Sequence, residues 1–377
     1  MSIPKRVGIL TSGGDCAGLN AVIRAVVRRA RAYDMEIYGI EDSTEGLMMR
    51  PVRAKHLTVE DVVGTIRYGG TMIGTTNKGN PFAVNLPDGT VKNHAAEIID
   101  GYRQLALDAL IGVGGDGSLA ILRKLALQGN WNLVGVPKTI DNDLGSTDYS
   151  IGFNTSVSIA TEALDRLSYT AASHNRVMVL EVMGRDAGHI ALSAGIAGAA
   201  QIILIPEIPY SIDRICDIVE KRHNTGRNHT LLIVAEAVKT VDQESLTYTN
   251  SLGQSLYGGI GRYIADYISS HTSAEVRVTT LGHVQRGGTP SAFDRILGTA
   301  FGVAALDLVA QGKFDRMVAW QNRQVVNVPI EEAIAEYRAV SLDDVLIKTA
   351  IGIGSYVGEI INPVINPVIN PIPAGQQ

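Results

Sequence analysis

Cysteine is scarce in this chain: Cys16 and Cys216 are the only two in 377 residues. A secreted disulfide framework needs more of them at closer spacing, so the expectation is a reducing compartment. No stretch approaches the ~18 uninterrupted apolar residues that a membrane-spanning helix requires. Residues 1–6 lead straight into an apolar strand candidate, Val7 to Leu10, and lack the long apolar stretch and small-residue cleavage site of a signal peptide. A cytoplasmic location with no membrane partner is therefore expected. Basic charge is not in excess either, with 33 Lys and Arg against 38 Asp and Glu, a net charge of −5 and a pI near 5.9. Nucleic-acid binders usually carry a basic surplus, so no nucleic-acid partner is expected. Any anionic ligand must then be met by local arginines.

What the chain does have is length, glycine and short apolar runs. At 377 residues it exceeds what one hydrophobic core usually supports, which predicts two lobes. Forty glycines with 45% hydrophobic residues suit a large α/β enzyme whose glycines sit in strand-to-helix turns. Runs rich in Val, Ile and Leu recur at Val7 to Leu10, Ala109 to Val113, Leu133 to Val136, Val177 to Val182, Ile202 to Ile205 and Leu231 to Val234. They lack polar alternation, which predicts strands buried on both faces, hence doubly wound, mainly parallel sheets under helices. In such folds ligands bind at the carboxyl ends of strands, so the residues after each run are where chemistry is sought. Asn20 to Ala32 has the spacing of an amphipathic helix, with Val22, Val26 and Ala30 on one side and Arg24, Arg28 and Arg31 on the other. Residues 361–377 repeat Asn-Pro and are expected to lie outside the folded core as a flexible tail.

Three post-strand loops carry candidate chemistry. The first, Thr11 to Asn20, holds Gly13, Gly14 and Asp15; glycines there let amides approach a phosphate, and the next helix adds its dipole. It lacks the Gly-Lys-Ser/Thr of a Walker loop, and a purely structural corner is the alternative. The second, Gly112 to Ser118, places an acid inside the cradle. Asp116 is useful beside phosphate if Mg²⁺ bridges the two; otherwise it caps a helix over Ser118 to Leu127. The third runs Lys138-Thr139-Ile140-Asp141-Asn142-Asp143. Two carboxylates one residue apart at a sheet mouth can divide labour, one taking a proton from a hydroxyl and the other orienting it or holding metal; an Asp/Asn-rich turn is the dull alternative.

These motifs, with Met183-Gly184-Arg185 and Gly282-His283-Val284-Gln285-Arg286-Gly287-Gly288, stand in an order and spacing that resembles the phosphofructokinase family from about residue 5 to about residue 330. The Gly-Gly-Asp-Gly loop alone is less specific, since lipid kinases and NAD kinases share it. The resemblance implies two lobes with the active site in the cleft between them: residues 1–152 plus about 285–335 for the phosphoryl donor, and 153–284 plus about 336–360 for the sugar. It implies transfer from MgATP to the 1-hydroxyl of fructose 6-phosphate, with Asp141 accepting the hydroxyl proton. Arg185, Thr139 and the backbone at Gly14 would steady the moving phosphoryl group. Gly13, Gly14, Gly115, Asp116, Gly117, Ser118 and Lys138 would hold the donor, with Asp116 and Asp143 on the metal side. Met183, Gly184 and Glu236 would contact sugar hydroxyls; Arg176, Arg277, His283 and Arg286 would bind the 6-phosphate. The resemblance further implies a homotetramer in which Arg176 and Arg277 act across a subunit interface.

Several positions depart from the family pattern. Gly117 is the residue of ATP-using members, whereas an aspartate there would repel the α-phosphate; Lys138 is what pyrophosphate-using members carry. Gly117 is weighted more heavily because a clash excludes a donor while an added cation merely assists, so ATP is the expected donor and a pyrophosphate-dependent enzyme the alternative. A non-catalytic sugar-phosphate-binding paralogue is a distant third. Asn77 stands where the family has arginine, with Lys78 as a substitute. Cys16-Ala17 replaces Ala-Pro, with Cys16 read as a packing residue rather than an oxidisable switch. At the bacterial effector site Arg24 and Arg28 match, but His56, Ser168, Gln201, Thr225 and Asn228 do not, which predicts weak or altered response to ADP and phosphoenolpyruvate.

Overall fold

A computed structural model of the chain describes residues 4–77, 79–86, 88–226, 229–249 and 255–360. Lys78, Asn228 and the Asn-Pro tail lie outside the described residues. In chain order the first lobe opens with β1 (Arg6–Thr11), α1 (Leu19–Ala30), β2 (Glu36–Ile40), α2 (Thr44–Met48), β3 (Ala54–Leu57), β4 (Val84–Asn85), β5 (Val91–Lys92) and α3 (Ala95–Gln104). It continues through β6 (Ala109–Gly114), α4 (Asp116–Gly129), β7 (Leu133–Thr139) and β8 (Ile151–Gly152). Then come α5 (Phe153–His174), β9 (Val177–Val182), α6 (His189–Ala197), β10 (Ile202–Leu204), α7 (Ile212–Asn224), β11 (Thr230–Ala235), β12 (Thr247–Thr249), β13 (Ser255–Tyr257), α8 (Ile260–His271) and β14 (Val276–Thr280). The described chain closes with α9 (Ala292–Ala310), β15 (Arg316–Gln321), β16 (Gln324–Pro329), α10 (Ile330–Ala335) and α11 (Val345–Gly352).

Two sheets result. The larger runs β16-β15-β7-β6-β1-β2-β3, with β8 paired to β7; its centre is parallel, and the pairs β15–β16 and β2–β3 at its edges are antiparallel. The smaller runs β10-β11-β9-β14 and is parallel throughout. Every residue of β6, β9 and β11 is buried, as expected for strands covered by helices on both faces. All six apolar runs read from the sequence are strands, shifted at their ends by at most a residue or a few.

Helix α1 buries Val22, Val26 and Ala30 against α9 and leaves Arg28 exposed, so the amphipathic reading holds; the last turn tightens to a 3-10 form after Ala30. Close backbone approach at this contact needs glycine: a Cβ on Gly302 would sit 2.6 Å from the Val22 carbonyl oxygen. No described helix is long and apolar enough to cross a membrane.

Candidate active site

The three loops do meet. Each follows a parallel neighbour in the order β1, β6, β7, so their carboxyl ends line up side by side at one edge of the larger sheet. The first loop is clamped from all sides. Ser12 N–H donates to the Val113 carbonyl at 2.9 Å, Gly13 N–H to the Thr76 carbonyl at 2.9 Å, and the Thr75 hydroxyl to the Gly13 carbonyl at 2.8 Å. Gly13 has φ +83°, a left-handed conformation in which a Cβ would lie 2.9 Å from Ser118 Oγ, so glycine is required there on two counts. Because the Gly13 amide is spent on Thr76, this residue shapes the loop and is not a free donor to phosphate.

Lys138 is buried and its Nζ donates to the Gly14 carbonyl at 2.6 Å. Burial pushes its ammonium below the usual range, with the nearby Arg286 cation adding to that, while Asp15 and Asp141 oppose it. From the 3-10 turn Gly282–Arg286 that follows β14, Arg286 Nη1 donates to the Asp15 carbonyl at 3.2 Å and lies 2.7 Å from where a Gly14 Cβ would be. Two cations thus grip adjacent carbonyls of the phosphate loop.

In the second loop Gly115 precedes the helix in an extended conformation, and α4 starts at Asp116, two residues earlier than the sequence predicted. Asp116 is consequently a first-turn residue and not the cap. Asp116, Gly117 and Ser118 line the cavity with the helix N-terminus, where unpaired amides and the dipole favour an anion. A Cβ on Gly117 would meet nothing within 4 Å, so the space is open to whatever fills the cavity.

In the third loop Thr139 orients both acids. Its hydroxyl donates to Asp143 Oδ1 at 2.9 Å and accepts the Asp141 N–H at 3.2 Å. The hydroxyl is therefore engaged within the turn, whereas the sequence reading gave it to the phosphoryl group. Asp141 Oδ1 is shut off from solvent with no hydrogen-bond partner. Burial, reinforced by Asp143, pushes the Asp141 carboxyl up to about 7, against the pull of Arg286 and Arg185. Burial also raises Asp143, with Thr139 opposing and Asp116 adding to the rise.

Two cavities share this wall. One, of about 580 Å³, runs from the phosphate loops past Glu45, Met48, Pro81 and Ile98. The other, of about 1110 Å³, is lined by Glu181, Met183, Glu236, Tyr257, Thr280 and His283. Gly14, Asn77, Asp141, Arg185 and Arg286 border both. Glu236 is pushed up to about 7 by burial and the Asp141 charge, while the Gly184 amide opposes the shift. Met183 N–H is fixed by the buried Gln285, whose Oε1 accepts it at 2.7 Å; Gly184 adopts φ +149°, and a Cβ there would sit 2.8 Å from the Ala187 carbonyl.

For Mg²⁺ the donor set fits. Asp116 is close enough to push the Asp143 carboxyl up, and both line the phosphate cradle. Hard oxygen ligands in that number suit an ion that takes its remaining ligands from phosphate and water. No group of three or more His, Cys, Asp or Glu residues suited to metal occurs among the described residues, so an all-protein cage is not what is built.

A family model described as Phosphofructokinase matches residues 6–309. The chain belongs to the phosphofructokinase family. It is 63% identical over 358 residues to "ATP-dependent 6-phosphofructokinase 1" of a Nostoc species, covering 95% of this chain and 100% of that protein. A Synechocystis protein of the same name is 61% identical, covering 94% and 98%. Among solved structures, Pichia pastoris phosphofructokinase in the T-state superposes with a TM-score of 0.75 at 32% identity, over 89% of this chain and 36% of that longer one. A pyrophosphate-dependent phosphofructokinase from Marinobacter aquaeolei matches with a TM-score of 0.75 at 19% identity, over 94% and 88%, a likeness of fold alone.

Most phosphofructokinase positions named from the sequence gather at the two cavities; Arg176 and Arg277 do not. Arg176 immediately precedes β9 and Arg277 is the second residue of β14, so seven residues, roughly 20 Å of strand, separate Arg176 from Met183, and three, roughly 10 Å, separate Arg277 from Thr280. Arg176 Nε donates to Glu275 at 2.8 Å and Arg277 pairs with the same carboxylate. Of the effector positions, Gln201 bonds the Ala199 carbonyl and the Leu231 amide, and Thr225 bonds Lys221 and Arg222 carbonyls, leaving these side chains committed to backbone. Cys16 is buried with its thiol against the Ile151 carbonyl at 3.4 Å and its pKa pushed up to about 12 by burial, a packing residue as read. Sequence reasoning missed the wall from Thr44 to Met48 and Pro81 to Ile98, because α2 and α3 reach the cavity by tertiary packing; no local motif marks them.

Proposed function

We propose that this chain transfers the terminal phosphoryl group of ATP to the 1-hydroxyl of fructose 6-phosphate, with Asp141 as general base. The observation that carries the reading is the position of Asp141, on the wall common to both cavities, with a buried and unsatisfied carboxylate oxygen. A carboxyl poised near neutrality can take a hydroxyl proton and release it after turnover. As O1 attacks, the new O–P bond forms, the proton passes to Asp141, and the bond to ADP breaks. Arg185, largely exposed and bordering both cavities, neutralises charge on the moving group, with α4's amides on the donor side. When bound, Mg²⁺ at Asp116 and Asp143 neutralises phosphate charge. Glu236 and the fixed Met183–Gly184 backbone hold sugar hydroxyls, and His283 and Arg286 meet the 6-phosphate.

ATP as donor is supported by the names of the close relatives and by the open space at Gly117. Lys138 is engaged with the Gly14 carbonyl, which makes it a brace of the loop rather than a stand-in for nucleotide charge. The test is incubation with fructose 6-phosphate and MgATP followed by ³¹P NMR: a second phosphate on C1 is expected, and transfer to another position or none would overturn the reading.

We propose the division of the chain into residues 1–152 plus about 285–335 and 153–284 plus about 336–360, supported by the strands of each sheet and by the bridge from Tyr356 to Ile202. We also propose a homotetramer with Arg176 and Arg277 completing a neighbour's site, supported by their distance from the cavities of their own chain. Mixing an Arg277→Ala variant with an Asp141→Asn variant should restore part of the activity if sites are shared, and none if each is self-contained. A cytoplasmic location accords with two free, buried cysteines and is checked by cell fractionation.

A further inference from the structure

Residues 336–340 join two parts of the site that no strand connects, and they lie beyond the segment the family model matches. On one side they pair with the turn that follows Asp141. The Glu336 carbonyl accepts Gly145 N–H at 3.1 Å, Tyr337 bridges Leu144 in antiparallel fashion, and Arg338 N–H donates to the Asp143 carbonyl at 2.8 Å. Arg338 Nη1 reaches the carbonyls of Thr147 at 2.9 Å and Asp148 at 2.8 Å. One residue therefore meets the turn at three points. The turn needs such a brace, because Asn142 at φ 54° and Ser146 at φ 62° hold left-handed conformations that persist only when the surroundings enforce them.

On the other side the same segment grips the start of α6. His189 Nε2 lies 3.1 Å from the Arg338 carbonyl, and Val340 N–H donates to Glu207 Oε1 at 2.8 Å. Glu207 Oε1 also accepts the Gly188 N–H at 3.0 Å. Gly188 and His189 close the loop that begins with Met183, Gly184 and Arg185. The strap thus spans from the acids of the larger sheet to the arginine loop of the smaller one.

We propose that Arg338 is a positioning residue that, through the strap 336–340, sets the separation of the Asp141–Asp143 turn from the Arg185 loop across the cleft. This deepens the proposed phosphoryl transfer and rests on it. Arginine suits the task because the two N–H bonds of Nη1 are held in the guanidinium plane and meet the two carbonyls at fixed geometry, where a lysine offers a flexible point charge. Displacing a reacting group by a fraction of its contact distance costs turnover without weakening ground-state binding, since Arg338 lines neither of the two cavities.

The experiment compares full-length wild type, Arg338→Ala and Arg338→Lys in steady-state kinetics with fructose 6-phosphate and MgATP, alongside hydrogen–deuterium exchange. Arg338→Ala should lower kcat by about 10- to 100-fold with both KM values within about two-fold, and Arg338→Lys should fall between. Amides of 141–150 and of 185–189 should both exchange faster in Arg338→Ala. An unchanged kcat, a loss that appears in KM, or a lysine variant no better than alanine would overturn the proposal. Should Arg338→Ala fail to fold, Arg338→Lys alone must still show a kcat loss at constant KM. If the wild type transfers no phosphoryl group, the functional reading fails by itself, and exchange still decides the strap: changes confined to 336–340 contradict it.

Discussion

Replacing Asp141 by Asn should cripple the chemistry and, above neutral pH, stabilise the fold. The carboxyl goes from an ordinary value of 3.8 to about 7, driven first by burial and then by Asp143. A carboxyl raised in the folded state is better tolerated when protonated, so its contribution to stability is full below pH 3.8 and is lost as pH rises through about 7. At ~1.4 kcal/mol per pKa step the ionised group costs on the order of 4 kcal/mol. Residual exposure of the residue lets water screen part of this, and ~1–3 kcal/mol is the expected gain for Asn at pH 8.5. For a chain of this size that is a few degrees in Tm. Scanning calorimetry of both proteins at pH 5.5 and 8.5, with fixed ionic strength, should show Asp141→Asn melting higher at pH 8.5 and by roughly half as much at pH 5.5, where only part of the penalty has built up. Its kcat should fall by ~10²- to 10⁴-fold, the span of a lost general base. An equal Tm difference at both pH values, or a variant that keeps more than a tenth of the activity, would refute the assignment of this carboxylate.

Gly117→Asp should fold normally, because its Cβ enters open space, yet lower kcat/KM for MgATP by ~100-fold or more through like-charge repulsion at the donor cavity; unaltered ATP kinetics would count against Gly117 as the determinant of donor choice. Lys138→Met removes a charged bond to the Gly14 carbonyl worth ~1.5–3 kcal/mol and should reduce kcat/KM for ATP about ten-fold while leaving the fructose 6-phosphate KM unchanged; loss of sugar affinity instead would show that the loop brace serves the other cavity. With Gln201 and Thr225 committed to backbone, activation by ADP and inhibition by phosphoenolpyruvate should be weak in initial-rate titrations, and a tight response to both would contradict that.

Much of this site was legible because its parts are local. Strands buried on both faces leave unbroken Val, Ile and Leu runs, and the loops after β1, β6 and β7 carry their glycines and acids in short stretches. What stayed hidden depends on where distant segments land. Nothing adjacent to Lys138 says that its ammonium ends on the Gly14 carbonyl, 124 positions away in sequence. The engagement of the Thr139 hydroxyl with Asp143 is a matter of rotamer, and the same residues could equally face a ligand. The start of α4 at Asp116 follows from the extended conformation of Gly115, which any residue can adopt and which the sequence therefore does not mark. Arg338 and Glu207 belong to no motif, and only the packing of 336–340 links Arg338 to the turn after Asp141 and Glu207 to the start of α6.

Product formation from fructose 6-phosphate with Mg²⁺, compared for ATP, ADP and pyrophosphate at matched concentrations, tests the central claim most directly. Fructose 1,6-bisphosphate appearing with ATP alone is the predicted result. Turnover with pyrophosphate and none with ATP would mean that Lys138 governs the donor and that the open space at Gly117 does not, and absence of product with every donor would contradict the proposed activity outright.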